Sequence, residues 1–89
     1  MADVYLKFTG IFWKMTKRKE DKINLPDGAK VQYLLDTLQK ELSLPTSGFQ
    51  STENLVILVN GMNINGLEGF DTTLKDGDVV AFLFPVGGG

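Results

Sequence analysis

The chain predicts an α+β domain, a mixed sheet of four or five strands with one main helix packed on one face. Three observations carry this expectation. Segments of period-two alternation flank a single stretch of helical periodicity. The order of two strands, a helix, two more strands and a closing strand lacks the repeated strand-helix alternation of a doubly wound sheet. At 89 residues the chain has room for one core and none for a second domain. The first and last strands would then lie side by side at the centre of the sheet.

Each element has its own justification. Val4, Leu6 and Phe8 alternate with Tyr5, Lys7 and Thr9, which predicts a strand over 3–9 with one buried face. Lys22-Ile23-Asn24-Leu25 alternates again, so the chain returns as a long hairpin whose tip, Ile11 to Lys19, mixes aromatics with basic residues. From Ala29 to Leu42 the period changes. Val31, Leu34, Leu35, Leu38 and Leu42 fall at i, i+3, i+4, i+7 and i+11, one stripe of a helix. The helix start lacks a good cap, with Lys30 where Ser or Thr is favoured and Asp27 as a partial substitute. Pro45 ends the helix near Ser43, because the residue before proline avoids helical dihedrals.

Residues 46–54 are polar and turn-rich and read as a loop. Leu55-Val56-Ile57-Leu58-Val59 is an unbroken apolar run, as expected of a strand covered on both faces. Asn60-Gly61 is a hairpin-turn pair leading to a short strand at 62–65. Residues 66–71 read as an irregular connection or a single helical turn. Asp76-Gly77-Asp78 makes a tight turn, and Val79 to Phe84 is the closing strand. The two aspartates are explained by that turn without catalysis or a metal.

Composition narrows the chemistry. The 43% apolar and 22% charged residues describe an ordinary globular chain, not a disordered one. A net charge of −2 argues against nucleic-acid binding, and it makes Lys14, Lys17, Arg18 and Lys19 beside Phe12 and Trp13 a solvated hairpin tip. Cysteine and histidine are both absent, which removes thiol nucleophiles, disulfides, the usual general base and the commonest metal ligand. No metal site and no stably bound cofactor are expected. The chain's first residues lack the pattern of a signal peptide and no segment approaches membrane-spanning length, so no membrane partner and a cytoplasmic location are expected.

The most telling stretch is the end, Phe84-Pro85-Val86-Gly87-Gly88-Gly89, directly after the closing strand. Glycine permits close backbone approach, whereas a merely frayed terminus would be polar. A bare tail over 85–89 on a body of 1–84 suits entry into a narrow slot. Its reactive group would be the α-carboxylate of Gly89.

The element order, with Thr73-Leu74-Lys75-Asp76-Gly77-Asp78-Val79-Val80-Ala81-Phe82 and the Pro-Val-Gly-Gly-Gly ending, resembles the MoaD/ThiS family of ubiquitin-like sulfur carriers. The segment Leu25-Pro26-Asp27-Gly28-Ala29-Lys30-Val31 with Leu34-Leu35 is similar to that family's helix start. Members commonly finish Phe-Phe-Pro-Pro-Val-x-Gly-Gly; here Gly87 takes the x place and Phe84 replaces the first proline. The resemblance implies a β-grasp fold and a carrier rather than an enzyme. It implies that an E1-like, ubiquitin-activating-type adenylating enzyme uses ATP to activate Gly89. A sulfur donor then leaves a thiocarboxylate, delivered as the small subunit of molybdopterin synthase to its large subunit or to another sulfur acceptor.

Gly87 and Gly88 would thread the partner's channel. Phe8, Phe82, Leu83, Phe84, Pro85 and Val86, near the root of the tail, are candidates for partner binding. Burial is the commoner fate of such residues, and sidedness decides between the two. Three alternatives remain open: a modifier joined to target lysines through Gly89, a carrier for thiamine or tRNA thiolation, and an unconjugated β-grasp scaffold.

Overall fold

The computed structural model describes residues 1–9, 17–42 and 56–83. Among these residues, five strands and one α-helix appear in the predicted order: β1 (Ala2–Phe8), β2 (Glu20–Leu25), α1 (Val31–Leu42), β3 (Val56–Val59), β4 (Met62–Asn63) and β5 (Val79–Leu83). The sheet order is β2-β1-β5-β3-β4, which puts the first and last strands together at the centre. Tyr5, Leu6, Lys7 and Phe8 pair in parallel with Val79, Val80, Ala81 and Phe82; the other three pairings are antiparallel.

One face of this sheet carries the core. Val4, Leu6 and Phe8 of β1, Ile57 and Val59 of β3, and Val80 and Phe82 of β5 meet Val31, Leu34, Leu35 and Leu38 of α1. Burying a leucine fully stabilises by about 1.5–3 kcal/mol, so the stripe holds the helix down despite its unremarkable capping residues. Phe8 and Phe82, register partners on the parallel pair, stack with ring centroids 5.4 Å apart and planes 12° from parallel.

Several elements differ from the sequence expectation. The helix begins at Val31, not Ala29, because Lys30 makes an isolated antiparallel bridge with Thr73. In that bridge the Val31 N–H donates to the Thr72 carbonyl at 2.9 Å, and Leu74 N–H donates to the Ala29 carbonyl at 2.8 Å. A neighbouring strand-like segment thus satisfies a helix N-terminal donor that would otherwise need a cap. Asp27 does not cap the helix: its Oδ1 lies 2.9 Å from the Met1 amine.

Nor is β3 covered on both faces. Ile57 and Val59 are buried, while Val56 and Leu58 are half-buried, since the helix lies on one side only. The strand expected over 62–65 stops at Asn63, whose side chain accepts from the Asn65 N–H and starts a 3-10 turn at Ile64–Gly66. A second such turn covers Gly69–Asp71. The Asn60-Gly61 hairpin forms as expected, with φ of 53° and 83°, the left-handed pair that matches strand twist. Residues 10–16, which include most of the hairpin tip expected over Ile11 to Lys19, the helix end expected near Ser43, the loop of 46–54, Leu55, Phe84 and the tail lie outside the described residues.

Candidate functional site

Parallel pairing decides where the chain leaves the sheet. β1 and β5 end on the same side, and antiparallel β3 begins there, with Val56 opposite Leu83. Whatever follows Leu83 therefore starts from the middle of the sheet's end, between Thr9 and Val56. Thr9 pins this exit: its N–H and its hydroxyl both donate to the Phe82 carbonyl, at 3.2 and 2.9 Å. Exposed Lys7, Lys17, Arg18 and Lys19 give this end a basic character.

The opposite end is acidic and its carboxylates are occupied structurally. Asp76 Oδ1 accepts from the Asp3 N–H at 2.8 Å and Asp78 Oδ2 from the Lys75 N–H at 2.7 Å. Asn60 Nδ2 donates to Asp78 Oδ1 while Asn60 Oδ1 accepts from the Val79 N–H, both at 2.9 Å. Gly77, at φ 88°, donates to the Asp3 carbonyl. This network fixes the start of β5 against β1 and β3. Among the described residues no group of three or more His, Cys, Asp or Glu is placed to hold a metal ion.

The partner-binding candidates divide by face. Phe8 and Phe82 are 2% and 0% exposed and belong to the core, so they do not present a docking surface. The correction follows from parity: both share a side with Leu6 and Val80, under α1. Leu83 has the other parity and lies half-buried on the sheet face that α1 leaves open. Phe84, Pro85, Val86, Gly87, Gly88 and Gly89 lie outside the described residues.

Sequence reasoning missed the companions of Leu83. Tyr5, 43% exposed, together with half-buried Val56, Leu58, Val79 and Ala81, shares its face and forms an apolar strip running up to the exit. Beside the strip, Tyr5, Lys7, Glu20, Lys22 and Val79 line a shallow groove of about 450 Å³. The usable signal was the alternation in β1, and carrying its phase to the wholly apolar β5 needed the register between the two strands.

A five-stranded mixed sheet crossed by one helix, with a central last strand leading out at one end, defines a ubiquitin-like β-grasp domain. The model of the ThiS family matches residues 6–89, and the chain belongs to that family, whose members are small sulfur carriers and not enzymes themselves. No protein of curated function matches the chain.

Solved structures agree on the fold. A putative molybdopterin converting factor, subunit 1, from Pyrococcus furiosus is 28% identical with a TM-score of 0.79, over 97% of this chain and 100% of that one. The small archaeal modifier protein 1 of Methanosarcina acetivorans is 31% identical with a TM-score of 0.80, over 100% and 98%. A third, from the complex of subunits 1 and 2 of the molybdopterin-converting factor of Helicobacter pylori, is 26% identical with a TM-score of 0.64, over 98% and 99%. That protein is therefore seen with a partner subunit. No helix among the described residues is long and apolar enough to cross a membrane.

Proposed function

We propose that this chain is the small, sulfur-carrying subunit of a molybdopterin synthase, working through Gly89. A carboxylate is ionised at neutral pH and a poor electrophile, so it must be activated by another protein. In the proposed cycle the Gly89 carboxylate attacks the α-phosphorus of ATP on an E1-like enzyme, releasing pyrophosphate and forming an acyl-adenylate. A hydrosulfide-equivalent donor then attacks the acyl carbon, AMP leaves, and a thiocarboxylate remains. The thiocarboxylate sulfur attacks an electrophilic carbon of the substrate held by the acceptor, and the leaving group on that carbon departs. Water then cleaves the acyl–sulfur bond, leaving the sulfur on the substrate and a carboxylate on Gly89.

The 28% and 26% identities to subunit 1 of molybdopterin converting factors favour the molybdopterin role, and the family match, which runs to residue 89, supports a sulfur carrier. The exit from a central strand supports it. Five residues beyond Phe84 reach about 17 Å when extended at about 3.4 Å each, enough to enter a recessed site. Gly87 and Gly88 add no side chains to obstruct that passage, and Pro85 stiffens its start. The strip of Tyr5, Val56, Leu58, Val79, Ala81 and Leu83 supplies apolar area for docking beside the exit.

A second reading has its own support, the 31% identity to an archaeal modifier protein. There, Gly89 would form an isopeptide bond to a target lysine after the same adenylation. One experiment separates them. The protein isolated from its native cells is measured intact and its lysine conjugates are digested with trypsin: replacement of one oxygen by sulfur at Gly89 supports the carrier, and the segment 76–89 left on lysines of other proteins, since Lys75 is the last basic residue, supports the modifier. Failure of the cognate activator and ATP to form an AMP ester at Gly89 overturns both.

A further inference from the structure

The sheet ends on β2 at one side and on two-residue β4 at the other, and among the described residues no strand lies beyond β2. A six-residue strand edge is a template for another strand, unless something occupies its donors. The direction of each backbone group follows from the ladder. Phe8 N–H donates to the Lys19 carbonyl at 2.8 Å, so hydrogen-bonded pairs continue as Leu6 with Asp21, Val4 with Ile23 and Ala2 with Leu25. Glu20, Lys22 and Asn24 consequently direct their N–H and C=O groups outward.

The Lys22 N–H is occupied. Asp21 Oδ1 accepts it at 2.8 Å, and Arg18 Nη1 holds the other oxygen of that carboxylate at 2.7 Å. The carboxylate sits where the carbonyl of an added strand would come. Two copies of β2 pairing antiparallel about a two-fold axis, with faces matched, have few registers. Centring on Asp21 sets two aspartates opposite each other, and centring on Lys22 sets two lysines opposite; both oppose like charges. Centring on Ile23 sets Ile23 against Ile23, Asp21 against Leu25 and Lys22 against Asn24. Pro26 then ends the pairing, having no N–H. This register needs the Lys22 N–H of each copy to reach the Asn24 carbonyl of the other.

We propose that the outer edge of β2 is a homodimerisation surface for a second copy of this chain, paired about Ile23 and closed in the monomer by the Asp21 carboxylate seated on the Lys22 N–H. The pairing leaves the open sheet face and the exit of β5 uncovered, so it is independent of the sulfur-carrier reading. Sedimentation equilibrium over a concentration series tests it with Asp21→Ala. The dimer dissociation constant falls at least about tenfold relative to the unaltered chain, a difference of about 1.4 kcal/mol. Adding Asn24→Pro, which deletes an outward N–H that the register requires, returns the variant to monomer.

Amide hydrogen exchange gives a readout that needs no variant to fold. In the unaltered chain the Lys22 amide is protected despite lying on an outer edge. In Asp21→Ala it exchanges quickly at low concentration and slowly once dimers form. An unprotected Lys22 amide in the unaltered chain, a folded Asp21→Ala that stays as monomeric as its parent, or a dimer indifferent to Asn24→Pro overturns the proposal.

Discussion

Phe82 and Leu83 are neighbours in one strand and belong to different surfaces. Phe82 lies under α1, wholly buried and stacked on Phe8; Leu83 lies on the face the helix does not reach. The same contrast repeats along β1, where Leu6 is core and Tyr5 is open, and along β3, where Ile57 is core and Leu58 is open. One set of strands thus supplies a covered, stabilising face and an open face on which apolar side chains are only half-buried. What separates the roles is the position of a single helix, not residue type, since both faces are largely apolar at the centre of the sheet.

The contrast breaks most visibly at Phe82. Phe82→Ala removes the partner of the Phe8 ring and leaves a cavity that the packed sheet and helix cannot fully close, with an expected loss of about 3–5 kcal/mol. That is a large share of the 5–15 kcal/mol that holds typical domains together. Urea unfolding followed by circular dichroism measures it. The fraction that remains folded should bind its partner as the parent does, because Phe82 contributes nothing to the open face. A loss below 1 kcal/mol would mean that the Phe8 and Phe82 pair is not a centre of the core.

Leu83→Ser is the converse. Partner affinity should fall at least about tenfold, about 1.4 kcal/mol, while stability falls by less than about 1.5 kcal/mol because the side chain is only half-buried. Calorimetric titration with the acceptor subunit that the proposed function calls for reads the first quantity and urea unfolding the second. Unchanged affinity together with lost stability would erase the distinction between the faces and return Leu83 to the core.

How much of this was legible in the sequence follows from the same residues. The helix stripe of Val31, Leu34, Leu35 and Leu38 and the alternation of Val4, Leu6 and Phe8 name their own buried sides, since polar residues mark the other phase. The central pairing of β1 with β5 followed from element order alone. In Val79-Val80-Ala81-Phe82-Leu83 both phases are apolar, so the strand could be found but its sidedness could not. Only the register Leu6 with Val80 and Phe8 with Phe82 sets the phase, and register is a property of two segments more than seventy positions apart. For the same reason Lys30 read as a weak cap, when its partner, Thr73, lies across the fold. The glycine tail is legible as a motif because it is a run of consecutive residues, read without any pairing partner.

The smallest effect lies at the margin of the covered face, where β1 begins. Ala2 is buried there, and the preceding Met1 amine pairs with Asp27 at 2.9 Å. The hydrogen bond to Asp27 and then its charge raise the amine's pKa above the ordinary 8.0, desolvation opposes them, and Asp76 and Asp3 add lesser help. A raised pKa means that the folded state favours the protonated amine. The contribution to stability is therefore fully present below about pH 8 and fades as pH climbs through the raised value. Both groups are exposed, so the effect is slight and weakens with salt. Thermal unfolding of the parent and Asp27→Asn at low salt should show the parent melting slightly higher near neutral pH. The two curves should converge as the amine deprotonates. A gap that persists unchanged into the alkaline range would assign the role of Asp27 to the Pro26-Asp27-Gly28 turn instead. The start of β1 would then be held by packing of Ala2 and Val4 alone, and the covered face would owe nothing to charge at its edge.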